Sequence, residues 1–179
     1  MDKKCIRRYI NERRKEIQIN EIMVNSKIIS RKIFSMEEYI KTECVYIYMD
    51  FNGEVSTKEI IEESLKTGKR VAIPKIENEE MSFHYINSVE DTQEGYFGVR
   101  EPIKNNLCNE QGIIIMPGVA FDKQKHRIGY GKGYYDKYLQ NNLELYKIAI
   151  AFEFQIFDEI PHEEHDILPN IIITEKQII

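Results

Sequence analysis

The amino-acid sequence predicts an α/β domain built on a mostly parallel sheet covered by helices on both faces. Three features point to it. Short apolar runs of strand length, Cys44 to Met49, Gly112 to Met116 and Lys147 to Phe152, alternate with segments of helical periodicity. The stretch from Cys44 to Pro74 reads as a complete strand-helix-strand unit. The chain has 179 residues, 42% of them apolar, enough for one buried core without disulfides or a structural metal. No repeat, low-complexity tract or Pro/Gly/Ser-rich linker divides it, so residues 1–179 read as a single domain.

Taken in order, Ile6, Tyr9, Ile10 and Ile17 fall on one side of a helical wheel and predict an amphipathic helix from Asp2 to about Ile17. Ile28, Ile29, Ile33, Met36 and Ile40 recur at three- and four-residue steps and predict a second helix from about Asn25 to Ile40. Cys44 to Met49 follows as a strand. The next helix opens near Thr57 at the cap position, carries Ile60, Ile61 and Leu65, and stops at Gly68. Arg70 to Ile73 is a short strand closed by Pro74. Met81 to Ile86 predicts a further strand, Gly112 to Met116 a buried one and Tyr134 to Leu143 a helix. Lys147 to Phe152 and Ile171 to Thr174 predict the last two strands. In sheets of this kind ligands sit beyond the carboxyl ends of strands, where turns open into helices.

Composition removes several classes of function. With 25 Lys and Arg against 30 Asp and Glu the net charge is −5, which argues against a surface that displaces phosphate counterions from nucleic acid. No stretch approaches the run of about 18 apolar residues needed to cross a membrane. Tyr9 to Arg14 is polar where a signal peptide carries its apolar region, so the expected location is the cytoplasm. Cys5, Cys44 and Cys108 are odd in number, lie far apart in the chain and share no ligand-like spacing with the four histidines, as for reduced structural thiols. His162 and His165 stand among acids but lack HExxH order, so no zinc site is expected there. No apolar stripe remains for an interface, and a monomer is expected.

The chemistry concentrates in two adjoining segments, Pro117 to Asp122 and Arg127 to Asp136. Gly129, Gly131 and Gly133 alternate there, which keeps side chains off the chain and lets successive backbone N–H groups turn toward an anion; the helix beginning near Tyr134 adds its positive end. Phosphate is the guest this pattern suits. Arg127 offers a fork-shaped cation and Lys132 a point charge, while Asp136 could hold a Mg2+ ion bridging phosphate oxygens. The spacing is neither that of a Walker A loop nor of GxGxxG. Elsewhere, Glu54 taken by itself reads as an ordinary acid in the turn before the Thr57 helix. Tyr96, Phe97 and the aromatics from Phe83 onward could stack on a ligand or fill the core, and Glu101-Pro102 reads as a structural turn.

The string Pro-Gly-x-x-Phe-Asp followed by Arg-x-Gly-x-Gly-x-Gly-Tyr-Tyr-Asp resembles the signature of the 5-formyltetrahydrofolate cyclo-ligases, also called methenyltetrahydrofolate synthetases. Weaker segments agree in order: Lys3 to Arg7, Glu54 to Thr57, Gly95 to Pro102, and His165-Asp166 before Ile171 to Thr174. The resemblance spans nearly the whole chain. It implies a three-layer α/β/α sandwich similar to the NagB/RpiA/CoA transferase-like group. It also implies an ATP- and Mg2+-dependent cyclisation of 5-formyltetrahydrofolate to 5,10-methenyltetrahydrofolate, with release of ADP and phosphate.

Residue by residue, the resemblance implies that Lys3, Lys4 and Arg7 bind ATP together with Arg127, Gly129, Tyr130, Gly131, Lys132, Gly133, Tyr134 and Tyr135. Arg127 and Lys132 would be the catalytic cations, and Asp136 and Asp166 the metal ligands. Glu54 resembles the acid that recognises the pterin, with Met49 in the same pocket and the span from Tyr130 to Tyr134 facing the folate. Small molecules are the only partners implied. Ser56 and Asn170 depart from the pattern, each standing where the family frequently carries an acid. A catalytically inactive ATP-binding regulator on the same fold, and a sugar-phosphate isomerase or CoA transferase, are the other functions the residues leave open. Folate-dependent ADP release separates the first from the enzyme, and strict ATP dependence removes the second.

Overall fold

The structure is a computed structural model that describes all residues except Tyr96, Phe97 and His165. Asp2 caps the first helix, α1 (Lys3–Glu16), by accepting from the Cys5 N–H at 2.7 Å. Two helices, α2 (Ile19–Phe34) and α3 (Glu37–Lys41), replace the single helix expected from Asn25 to Ile40. The break falls where the Ser35 hydroxyl donates to the Lys32 carbonyl at 2.8 Å and Met36 turns extended. The earlier start at Ile19 brings Ile22 against the core.

The strand-helix-strand unit consists of β1 (Cys44–Ile47), α4 (Lys58–Lys66) and β2 (Arg70–Glu77), with the two strands parallel. Gly68 ends α4 at φ +81°, and the Lys69 N–H closes onto the Ser64 carbonyl at 2.9 Å. Pro74 does not close β2, which runs on to Glu77 and pairs antiparallel with β3 (Glu80–Ile86). Beyond Ala72 β2 no longer pairs with β1, so Pro74 sits where the strand has a neighbour on one side only.

A two-stranded ribbon, β4 (Thr92–Glu94) with β5 (Arg100–Pro102), precedes β6 (Ile113–Met116). The chain then forms β7 (Ala120–Asp122), β8 (Arg127–Ile128) and α5 (Tyr134–Gln140). Helix α5 ends before Leu143 because the Asn142 side chain donates to the Tyr138 carbonyl at 2.7 Å and turns the chain. Strands β9 (Tyr146–Ile150), β10 (Ile156–Phe157) and β11 (Ile171–Ile173) complete the fold.

The central sheet has the order β11-β9-β6-β1-β2-β3 and is parallel except for β3. Alternation along β1 sends Val45 and Ile47 to the face covered by α2, α3 and α4, and Cys44 and Tyr46 to the face covered by α5. Ile6 and Ile10 of α1 pack on a small sheet, ordered β10-β7-β8, that stands beside the main one. Cys44 and Cys108, distant in sequence, meet in the core with sulfurs 3.5 Å apart.

Gly112 enters β6 so closely that a Cβ there would lie 2.4 Å from the backbone oxygen of Cys44. Gly112→Ala is therefore expected to cost about 2 kcal/mol or more, since backbone cannot yield as a side chain can; urea unfolding against the wild type measures it.

Candidate active site

Strands β2 and β6 flank β1 on opposite sides, so the connections leaving β1 and β6 diverge and open a crevice at the carboxyl ends of the sheet. A cavity of about 630 Å³ fills it. The segment after β1 contributes Met49, Phe51 and Glu54, the turn after β6 contributes Pro117, and the glycine loop contributes Gly129 to Asp136 with the exception of Gly131.

In that loop Gly131 and Gly133 have φ of +106° and +67°, left-handed conformations that glycine takes without strain. A Cβ on Gly131 would also stand 3.8 Å from the Arg7 guanidinium. Arg7 reaches across from α1, its Nε donating to the Gly129 carbonyl at 2.8 Å, so helix and loop form one unit. Lys132 is exposed at the cavity, with no hydrogen-bond or ion-pair partner among the described residues.

Arg127, by contrast, is buried. Its Nη2 donates to Asp136 Oδ1 at 2.8 Å and its guanidinium lies 5.7 Å from the Tyr135 ring centroid. Arg127 Nε and the Tyr135 hydroxyl are buried with no partner among the described residues. Two unsatisfied polar atoms on cavity-lining side chains are what a polar ligand would complete. Burial and the Glu54 charge push the Tyr135 phenol well above its ordinary value, so it stays a donor at neutral pH.

Glu54 stands in a turn held from below. The Thr57 hydroxyl, instead of capping α4, donates to the Tyr48 carbonyl and to Asp50 Oδ1, each at 2.9 Å, and fixes the loop between them. Within it Glu54 is only 7% exposed. Its Oε2 accepts from the Phe51 N–H at 3.0 Å and its Oε1 from the Tyr130 hydroxyl. Desolvation raises its pKa, opposed chiefly by the Arg14 guanidinium, whose Nη1 lies 4.0 Å from Oε1.

Two charged residues of this neighbourhood escaped the sequence reading. Arg14 looks like part of the basic outer face of α1, yet it is buried beside Glu54. The one available signal was its helical phase, in step with Ile6 and Ile10. Glu101 is no turn residue: it lies on β5, lines the cavity, and accepts from the Ile76 N–H at 3.2 Å. Phe83 belongs to the core, 5.3 Å from Tyr46 and 4.9 Å from Tyr138 between ring centroids. Tyr96, Phe97 and His165 lie outside the described residues.

The metal candidates are less closely assembled. Asp136 shares Oδ1 with Arg127, and Asp166 Oδ2 accepts from the Glu163 N–H at 2.9 Å and lies 4.0 Å from Lys3 Nζ. Lys3 also reaches Glu163 at 3.1 Å, whereas Lys4 is exposed and does not line the cavity. Among the described residues the one group of three close metal-type ligands is Asp122, His126 and His162, which includes neither Asp136 nor Asp166. Asp122 oxygens there already accept from the backbone of Gln124, His126 and Ile160. Of the two departures, Asn170 has a side-chain partner, its Oδ1 accepting from the Lys147 N–H at 2.8 Å, whereas at Ser56 it is the backbone N–H that donates to Ser26 Oγ at 2.9 Å.

Fold and site together define a mixed α/β protein with a mostly parallel sheet, an anion-suited glycine loop and an apolar pocket floored by a buried acid. The family model described as the 5-formyltetrahydrofolate cyclo-ligase family matches residues 1–175. The chain belongs to that family. It is 27% identical to the 5-formyltetrahydrofolate cyclo-ligase of Mus musculus, over 97% of this chain and 93% of the relative. It is 34% identical to the Haemophilus influenzae cyclo-ligase, over 69% of this chain and 71% of the relative. The solved structure of Aquifex aeolicus 5,10-methenyltetrahydrofolate synthetase superimposes with a TM-score of 0.88 at 31% identity, covering 99% of this chain and 92% of that one. No helix among the described residues is long and apolar enough to cross a membrane.

Proposed function

We propose that this chain catalyses the reaction of its family, the ATP-dependent cyclisation of 5-formyltetrahydrofolate to 5,10-methenyltetrahydrofolate. The observation that carries the proposal is one cavity lined both by phosphate chemistry, Arg127, Lys132 and the glycine loop, and by the buried Glu54 with Met49.

The formyl oxygen is a poor leaving group. Its attack on the γ-phosphorus breaks the bond to ADP and leaves a phosphorylated imidate; the neighbouring folate nitrogen then bonds to the formyl carbon, loses its proton, and phosphate departs. Such a transfer needs in-line placement and charge neutralisation more than covalent help. Arg127 and Lys132 neutralise the transferring phosphoryl group, Gly129 to Tyr135 cradle the phosphates, and Lys3, Lys4 and Arg7 extend the nucleotide site along α1. Glu54 pairs with the amino-pyrimidine edge of the pterin, Met49 packs on it, and Tyr130 to Tyr134 face the folate.

Mg2+ takes few protein ligands and keeps phosphate and water in its shell, which suits a site where one carboxylate oxygen of Asp136 is already committed to Arg127. Asp136 and Asp166 are the residues that would hold it, and bound there it supplies charge neutralisation for the phosphates. Asp136→Asn is expected to raise the Mg2+ concentration for half-maximal activity about tenfold. A magnesium titration that superimposes on the wild type removes Asp136 from the metal site.

The same reading has residues 1–179 acting as one cyclo-ligase domain, a monomer in the cytoplasm without nucleic acid or membrane partners, and its three layers as a variant of the NagB/RpiA/CoA transferase-like architecture. The net charge of −5 supports the first exclusion. The test is the absorbance of methenyltetrahydrofolate with each of ATP, Mg2+ and 5-formyltetrahydrofolate omitted in turn. Product that requires all three is expected. Product without ATP overturns the ATP-dependent reading, and ATP binding without product favours the inactive regulator.

A further inference from the structure

We infer that Arg14 is a positioning residue for the folate half of the site, holding Glu54 ionised and aimed while locking its loop to the glycine loop and to the turn after β6. This rests on the reading of Glu54 as the pterin-recognising acid. Arg14 lies in the last turn of α1 with its side chain only 2% exposed. Its Nη1 donates to the Tyr130 hydroxyl, which itself donates to Glu54 Oε1, and its Nη2 donates to the Gly118 carbonyl at 3.1 Å. Its stem packs on Gly53, where a Cβ would meet Arg14 Cβ at 3.3 Å, so the turn carrying Glu54 rests directly on it.

Three segments remote in sequence therefore converge on one guanidinium: the loop after β1, the turn after β6 and the glycine loop. A buried arginine in that position does two things. It supplies the countercharge without which a carboxylate in an apolar pocket takes up a proton, and it fixes Tyr130 so that Glu54 directs its remaining acceptor capacity toward the cavity. The other titratable groups around Glu54 do not replace it. Asp50 raises the Glu54 carboxyl further, and Tyr48, Tyr130 and Tyr135 are all held neutral by burial. The sign is then determined. Only ionised Glu54 accepts two N–H bonds, so with Arg14 gone folate binding weakens at low pH and recovers as pH rises through the elevated Glu54 value.

The test compares wild type, Arg14→Met, Arg14→Lys and Glu54→Gln by steady-state kinetics with both substrates and by calorimetric binding of 5-formyltetrahydrofolate between pH 6 and 9. For Arg14→Met the expected result is a folate KM raised about tenfold at pH 7, an ATP KM within about twofold of wild type, and a defect that shrinks as pH increases. Arg14→Lys should restore part of the affinity. In the Glu54→Gln background, Arg14→Met should add little, since the charge it serves is absent. A folate defect that is flat with pH, or none, overturns the positioning role. If Glu54→Gln leaves folate binding unchanged, the pterin reading of Glu54 fails instead, whatever Arg14→Met does. Should Arg14→Met not fold, Arg14→Gln, which keeps a polar group for the Gly118 carbonyl and the Tyr130 hydroxyl but removes the charge, carries the same pH comparison.

Discussion

Replacing Arg127 by alanine is expected to lower kcat about a hundredfold, equivalent to roughly 2.7 kcal/mol of transition-state stabilisation. The size follows from its position. The guanidinium is buried, paired with Asp136 at 2.8 Å, and keeps its Nε without a partner among the described residues, so a phosphate oxygen arriving there meets a desolvated and already oriented donor. The alanine variant loses that donor and leaves Asp136 facing the incoming phosphates without its countercharge. Lys132→Ala is expected to cost less, about tenfold, because Lys132 is exposed and must be ordered before it contributes. Single-turnover measurement of ADP formation checks both. Wild-type rates in the two variants would remove the loop from the chemistry.

Glu54→Gln is expected to raise the KM for 5-formyltetrahydrofolate at least tenfold, about 1.4 kcal/mol, with the KM for ATP changed by less than about twofold. Glutamine has nearly the same shape and can still accept from the Phe51 N–H, so the turn is retained. It cannot offer two acceptor oxygens to a pair of N–H donors, and hydrogen bonds to a charged group are worth about twice neutral ones. Among the described residues Glu54 hydrogen-bonds to Phe51 and Tyr130 and to neither Arg127, Lys132 nor the glycine backbone, so the ATP contacts should not register the change. Unaltered folate affinity in a variant that unfolds at the wild-type urea concentration would take Glu54 out of the pocket.

The glycine loop was legible because its demands are local. Positive φ at Gly131 and Gly133 is a property of the chain itself, and a run of alternating glycines ahead of Tyr134 announces it. Strands β1, β6 and β9 were legible for a similar reason, being short apolar runs that need both faces covered. The break between α2 and α3 was hidden because Met36 and Ile40 preserve helical spacing across it, and a hydroxyl-to-carbonyl bond at Ser35 leaves no periodic trace. Pro74 misled because proline ends a strand only where a neighbour requires its N–H, and that depends on where β1 stops.

By itself the sequence determined the alternation of strands and helices, the phosphate-suited loop with Arg127, Lys132 and Asp136, and a resemblance strong enough to assign the family. Those are properties of neighbours along the chain. Only the tertiary structure decided which residues meet in the cavity. Arg14 became the partner of Glu54, and Glu101 a cavity acid, because the connections leaving the paired strands β1 and β6 diverge and bring α1, the β1 loop and β5 together. Coulomb attraction and desolvation depend on distance through space and on what excludes water, and neither quantity is written in the spacing of residues along a chain.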